Sequence, residues 1–233
     1  MEARGRVLAE DVRSDRDVPP FTNSAMDGYA VRAADTRSAT AAAPIHLEVI
    51  GEIRAGMAPP TSVRPSTALR IMTGAVMPEG ADAVVRVEDT VERNGRVDIR
   101  AAVEPDASVR HAGSDIRRGN IVAERGRIVT PGLIGVLAST GRTAVRTFRR
   151  PRVTVLTTGD ELRDAGESLG PGQITNTNRY TLRAALEEAG AEVVDAGVAR
   201  DVRDDLTARL HAAAATDLIV STGGVSMGAY DLV

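Results

Sequence analysis

Residues 152–161 read RVTVLTTGDE, and this stretch decides the fold of the second half of the chain. Arg152–Thr157 is short, apolar and β-branched, which suits a buried strand, and the Thr158-Gly159 pair then breaks the run. A helix is expected from about Thr177 to Ala189, with Leu182, Ala185, Leu186 and Ala189 at helical spacing and Gly190 as its stop. A strand over Glu192–Ala196 follows, then a helix from about Val202 to Ala215 and a strand over Asp217–Ser221. The order β-α-β-α-β predicts a parallel sheet with right-handed crossovers. The sequence given stops at Val233, about ten residues past the last strand, and the α/β domain therefore reads as truncated.

Working back through the junction Arg149-Arg150-Pro151-Arg152, the texture changes. Short β-like runs at Ile45–Ile50, Ala68–Met72, Ala83–Val87 and Arg96–Ile99 are separated by Gly, Pro and Asp. Asn94-Gly95 is a hairpin signal, expected to join the last two runs. Pro131–Ser139 is the best helix candidate, with Thr130 as N-cap and proline at the first helical position. The predicted fold class is thus multi-domain, a β-rich N-terminal half followed by an α/β three-layer domain.

Composition narrows the function. The 233 residues are 42% hydrophobic and 26% charged, as in a globular protein. No run of about eighteen apolar residues exists to cross a membrane, and the start MEARGRVLAEDV does not read as a secretory signal. A cytoplasmic location is the default expectation. A net charge of −3 and five aromatic residues argue against nucleic-acid binding. Cysteine is absent, which excludes disulfides and thiolate chemistry. All 29 basic residues are arginine, so no lysine is available as a Schiff base or phosphate ligand in this sequence. His46, His111 and His211 match no metal-ligand spacing.

Ligands of open α/β sheets bind beyond the carboxyl ends of the strands. Here those ends carry Thr157-Thr158-Gly159-Asp160-Glu161 and Ser221-Thr222-Gly223-Gly224-Val225-Ser226. Both are small-residue loops whose backbone N–H groups can approach an anion, although glycines after a strand also serve plain tight turns. There is no Walker motif and no GxGxxG after the first strand. Acidic residues at loop positions, Asp27, Asp115, Asp160, Glu161, Asp201 and Asp231, suit magnesium shared with a phosphate substrate. Asp201 is also placed to cap the following helix, and Asp115, after Gly113-Ser114, to close a turn.

Six segments, PPFTNSAMDGYAVR, RIMTGAVMPEGADAVV, GSDIRRG, TTGDEL, ITNTNRY and STGGVSMGAYD, run in order from Pro19 to Asp231. Together they resemble the molybdopterin molybdenumtransferase family, which includes MoeA and the gephyrin E domain. TGGVS is shared with MogA-type adenylyltransferases, whereas MDGYA and MTGA are more selective. The resemblance implies an enzyme that takes adenylylated molybdopterin and molybdate, with magnesium, and releases AMP. It implies catalytic positions at Asp27, Thr73, Asp115, Glu161, Asp201 and Asp231, with Glu161, Asp201 and Asp231 holding the metal. The strand-end loops supply the expected substrate contacts, Thr158, Gly159, Asp160, Ser221, Thr222, Gly223, Gly224 and Ser226.

The family pattern further implies an elongated homodimer, in which Asp27, Thr73 and Asp115 of one subunit face Glu161, Asp201 and Asp231 of the other, and a MogA-type partner. It divides the chain into residues 1–20 and 116–150 as a partial domain I, 21–115 as a β-rich domain II, and 151–233 as a MogA-like, pterin-binding domain III. A lysine- and proline-rich loop and a C-terminal β-barrel, which the family carries further on, are not in this sequence. Two alternatives stand beside this reading: a MogA-type adenylyltransferase, and a non-catalytic, gephyrin-like scaffold.

Overall fold

A computed structural model describes residues 2–223. The chain divides into two compact units, one of Glu10–Arg125 with Pro131–Val145, the other of Met1–Ala9, Gly126–Thr130 and Arg146–Val233.

The first unit is built on six strands: β1 (Gly28–Val31), β2 (Ile45–Ile53), β3 (Thr67–Ile71), β4 (Ala83–Arg86), β5 (Thr90–Arg93) and β6 (Arg96–Ile99). They pair in the order β4-β1-β3-β2-β6-β5, with β2 and β3 parallel and the other neighbours antiparallel. Side-chain alternation gives the sheet two apolar faces. Tyr29, Val31, Leu47, Val85, Val97 and Ile99 fill one cluster, and Ala30, Ile53, Leu69, Ile71 and Val84 the other. The inner strands are therefore aliphatic on both sides, which a chain with so few aromatic residues achieves with Val, Ile, Leu and Ala.

Two expectations change here. Asn94-Gly95 does form a hairpin, with both residues at positive φ (49° and 75°), as a type I′ turn requires. It joins β5 to β6, however, and not Ala83–Val87 to Arg96–Ile99. After β4 the chain makes a 3₁₀ turn over Val87–Asp89 and then an additional strand, Thr90–Arg93, whose single apolar residue, Val91, left no alternating pattern to read. The run at Ile45–Ile50 also continues to Ile53 through a register shift between Val49 and Glu52, where Gly51 has φ 150°. Helix α1 spans Pro131–Ser139 as expected.

The second unit contains β7 (Arg152–Thr158), α2 (Thr177–Glu188), β8 (Glu192–Ala199), α3 (Arg203–Ala213) and β9 (Leu218–Thr222). The sheet order is β8-β7-β9, all parallel, which is the β-α-β-α-β arrangement read from the sequence. The central strand β7 is buried from Val153 to Thr158. Leu156, Ala199 and Leu206 form its core cluster, with Leu210 packed against it, so α3 docks through the 206/210 stripe. Asp217 pins the sheet's lower end: both carboxylate oxygens accept from the Arg149 guanidinium, and Oδ2 also accepts the Arg152 N–H at 2.8 Å.

Helix α2 starts at Asn176, whose side-chain oxygen accepts the Arg179 N–H, and stops before Gly190 at φ 93°. The expected cap of α3 by Asp201 is not observed. The helix is preceded by Val202 in an extended conformation, with no side-chain cap. Asp205 instead reaches back to the Arg200 N–H at 2.8 Å, which satisfies the entry from inside the helix.

Candidate functional site

In the first unit the MDGY segment and the MTGA turn meet. The Thr73 N–H and the Thr73 hydroxyl both donate to Asp27 Oδ1, each at 2.7 Å. These bonds, the backbone one first, hold the Asp27 carboxyl below the usual carboxylate range, and the Arg70 charge acts in the same direction. Two local features set up the contact. Gly28 follows Asp27 where a Cβ would sit 2.0 Å from the Val85 carbonyl oxygen, so only glycine lets β1 and β4 approach. Gly74, at φ 80°, turns the chain straight after Thr73, and the Ala75 N–H closes the turn on the Met72 carbonyl at 3.0 Å.

Asp115 lies on the adjacent 109–116 segment. Asn23-Ser24 pairs antiparallel with Val109-Arg110, and Asn23 also bridges to Val76, so one short strand ties all three motif segments together. The turn before Asp115 is closed by the Ser114 N–H on the His111 carbonyl, while the Asp115 N–H bonds to Val18. The Asp115 carboxylate is exposed and accepts only from the Ser114 hydroxyl, at 3.3 Å, among the described residues. Asp27 and Thr73 are thus in direct contact, and Asp115, on the adjacent segment, hydrogen-bonds to neither.

In the second unit a solvent-open cleft with a cavity volume of about 150 Å³ lies at the carboxyl ends of the strands. Its lining includes Thr158, Glu161, Asn176, Thr177, Asn178, Thr222 and Gly223. Thr158 is 6% exposed, and its hydroxyl is the buried side-chain polar atom left without a hydrogen-bond partner among the described residues. A Cβ at Gly223 would lie 2.4 Å from the Thr158 carbonyl oxygen, so this second strand-end glycine is needed for β9 to close over β7.

The carboxylates gather beside this cleft. Gly159, at φ 143°, bends the chain so that the Glu161 carboxylate folds back over it; a Cβ there would meet Glu161 Oε2 at 2.4 Å. Asp201, released from any capping duty, accepts the Asp160 N–H at 3.3 Å through Oδ2. Glu161 and Asp201 therefore both meet the short loop Gly159–Glu161. Of the expected substrate contacts, Thr158, Thr222 and Gly223 line the cleft, Gly159 and Asp160 form the adjacent turn, and Ser221 sits one residue earlier in β9, opposite Leu156. Gly224, Ser226 and Asp231 lie outside the described residues.

No site role was assigned from sequence to the start of α2, although it forms a wall of the cleft. Thr177 and Asn178 are in its first turn, so their N–H groups have no carbonyl behind them in the helix. Asn178 Nδ2 donates to Thr222 Oγ1 at 3.1 Å, linking the helix start to the end of β9. The buried Asn176 Nδ2 donates to Thr157 Oγ1 at 2.7 Å, linking it to β7. The signal was present in ITNTNRY as an asparagine cap after a β-branched residue, and anions favour a helix N-terminus built this way. Among the described residues no three His, Cys, Asp or Glu side chains converge as a metal cage.

Comparison with known proteins also divides the chain in two, with residues 1–9 and 126–130 falling in the N-terminal match. A family model described as the MoeA N-terminal region (domain I and II) matches residues 1–141, and one described as a probable molybdopterin binding domain matches residues 154–233. The chain is 44% identical over its whole length to molybdopterin molybdenumtransferase 2 of Mycobacterium tuberculosis, and spans 58% of that protein. It is 41% identical to the molybdopterin molybdenumtransferase of Nostoc sp. over 99% of its length, spanning 53% of that relative. A solved MoeA protein of molybdopterin biosynthesis from Pyrococcus horikoshii OT3 superposes over 95% of this chain and 59% of its own, with a TM-score of 0.90 and 33% identity.

Proposed function

Because the chain belongs to the MoeA family, we propose that the protein inserts molybdenum into adenylylated molybdopterin, releasing AMP and yielding the molybdenum cofactor. The observation that carries this reading is the unpartnered Thr158 hydroxyl in the strand-end cleft, beside the free N–H groups that open α2. Every donor there is neutral, and together they suit the phosphate oxygens of an adenylylated substrate. Molybdate is the second substrate.

The Asp27–Thr73 pair and Asp115 are read as positioning groups for the reacting end of the substrate. Glu161 and Asp201 are read as magnesium ligands, with Asp231 expected to join them. The donor set fits that ion: the carboxylates offer oxygen only, and magnesium is commonly held by one or two carboxylates with substrate phosphates and water. When bound, the ion supplies positive charge against the pyrophosphate linkage. The Asp160 N–H, which donates to Asp201, ties Asp201 to the loop that carries Glu161. A homodimer in the cytoplasm, with a MogA-type protein supplying the adenylylated substrate, completes the proposal. No helix among the described residues is long and apolar enough to cross a membrane.

Incubating the protein with adenylylated molybdopterin, molybdate and magnesium, and following AMP by chromatography, tests the reading. AMP should appear only when molybdate and magnesium are both present. If none forms while ATP and molybdopterin are converted to the adenylylated pterin, the MogA-type alternative replaces it. If neither reaction occurs, the scaffold reading stands.

A further inference from the structure

Two asparagines at the start of α2 donate to threonines on two neighbouring strands, and the two pairs end differently. Thr157 and Thr222 stand opposite each other in the parallel β7–β9 ladder, so their side chains leave the same face of the sheet. Asn176 Nδ2 donates to Thr157 Oγ1 at 2.7 Å, and the Thr157 hydroxyl donates in turn to the Gly197 carbonyl at 3.3 Å. Both side chains are buried, and this threonine is satisfied as acceptor and as donor.

The second pair repeats the first step without the second. Asn178 Nδ2 donates to Thr222 Oγ1 at 3.1 Å. A hydroxyl has one hydrogen to give and lone pairs to receive with. Having accepted from Asn178, Thr222 keeps its own hydrogen, and nothing takes it among the described residues. Asn178 and Thr222 both line the cleft, so the free donor belongs to the cleft wall.

A separate observation points to the same space. Thr158, which follows Thr157 in β7, also lines the cleft, is 6% exposed and has a hydroxyl without a partner among the described residues. Two threonine hydroxyls on adjacent strands therefore have hydrogens to offer in one cleft. A ligand bearing several acceptor oxygens satisfies both.

We infer that Asn178 is a positioning residue: by donating to Thr222 Oγ1 it keeps that hydroxyl turned to donate to a phosphate oxygen of the bound nucleotide. The ligand half of the inference rests on the reading of the cleft as the site of an adenylylated substrate. The hold of Asn178 on Thr222 does not.

The probe is AMP, titrated calorimetrically into wild type, Asn178→Ala, Thr222→Val, Thr222→Ser and the Asn178→Ala/Thr222→Val double variant. Asn178 is exposed in the first turn, and alanine there keeps the helix. Thr222→Val should weaken AMP binding at least about tenfold, as expected for one hydrogen bond to a charged group, and Thr222→Ser less than about threefold. Asn178→Ala should weaken it about fivefold alone, and no more than about twofold once Thr222 is valine, because the hydroxyl it acts through is gone. A merely structural asparagine would lower Tm without this coupling. Equal losses from Asn178→Ala in both backgrounds, or no loss in either single variant while the wild type binds AMP, would overturn the inference. A wild type that binds no AMP would remove the nucleotide reading of the cleft, and the ligand half with it. The positional half is then decided in ligand-free protein by three-bond scalar couplings of the Thr222 side chain. One rotamer in wild type and averaging in Asn178→Ala are expected; identical couplings in the two proteins would overturn that half as well.

Discussion

Replacing Thr158 by valine separates what the cleft costs the protein from what it does for a ligand. The Thr158 hydroxyl is buried at 6% exposure without a hydrogen-bond partner among the described residues, directly under Gly223. An orphaned buried polar group costs about 1–3 kcal/mol. Valine keeps the β-branched shape that β7 favours and replaces the hydroxyl by a methyl in nearly the same volume. Part of the gain is lost to the slightly larger group beneath the Gly223 backbone, which leaves about 1 kcal/mol of net stabilisation. For a chain of this size that is a rise in Tm of roughly 2–4 °C. The ligand side runs the other way, because a hydrogen bond to a charged phosphate is worth about 1.5–3 kcal/mol. Losing it should weaken AMP binding by roughly 10- to 100-fold. Calorimetric scans without ligand, paired with titration calorimetry against AMP, measure both. With saturating AMP the order of Tm values should invert, since the wild type gains more from binding. A variant that melts lower than wild type and binds AMP equally well would show that this hydroxyl is neither orphaned nor a ligand contact.

Other substitutions test the local geometry. Gly28→Ala should lower stability by on the order of 3 kcal/mol, because its Cβ would meet backbone atoms of Val85 at 2.0 and 2.9 Å and force β1 from β4. Gly135→Ala, on the exposed side of α1 with nothing within 4 Å, should raise stability by about 0.5–1 kcal/mol; urea midpoints unchanged in both would contradict the packing described. Asp217 has its carboxyl lowered to about 2, first by the Arg149 hydrogen bonds and then by the Arg152 N–H. A depressed folded-state value means stability that is present above the ordinary aspartate range and is lost as pH falls toward about 2. Asp217→Asn should therefore lower stability at pH 7 and flatten its decline between about pH 4 and pH 2; an equally steep acid limb in the variant would count against this. Finally, Asp205→Ala should destabilise by about 1 kcal/mol, because it frees the Arg200 N–H, whereas Asp201→Ala should leave the melting curve nearly unchanged and remove AMP release. Equal destabilisation by the two would restore the capping role to Asp201.

The parts of the fold that could be read in the sequence are those in which one strand or helix carries its own signal. Val153–Thr158 is buried along its length, so its β-branched run is legible, and Gly190 and Asn94-Gly95 mark turns that demand positive φ. Thr90–Arg93 was not visible because it is an edge strand with little buried surface, and its residues make sense only beside β6. The mistaken partner for the Asn94-Gly95 hairpin follows from the same cause: a turn signal says that two strands meet, and only the strand residues say which two.

The site divides along similar lines. Asp27 and Thr73 are 46 positions apart, and nothing in either local pattern states that one oxygen receives two bonds from the other residue. Resemblance to a family nominated both, and the ladder that pairs Gly28 with Ile71 supplies the physical reason. Asp201 shows the converse. Its place before a helix fitted a cap, but local placement cannot tell a cap from a carboxylate held free for another purpose. The competition was decided by Asp205, two positions into the helix from Arg203, which takes the Arg200 N–H and leaves Asp201 to meet the Asp160 loop. The start of α2 is legible as an asparagine cap but not as a site, because Asn176 and Asn178 carry no charge. What makes them a wall of the cleft is the set of unpaired N–H groups on the helix they open, a property of the backbone that residue identities do not show. A carboxylate declares itself in a sequence as chemistry, whereas a helix N-terminus does so only through the geometry of the strands around it.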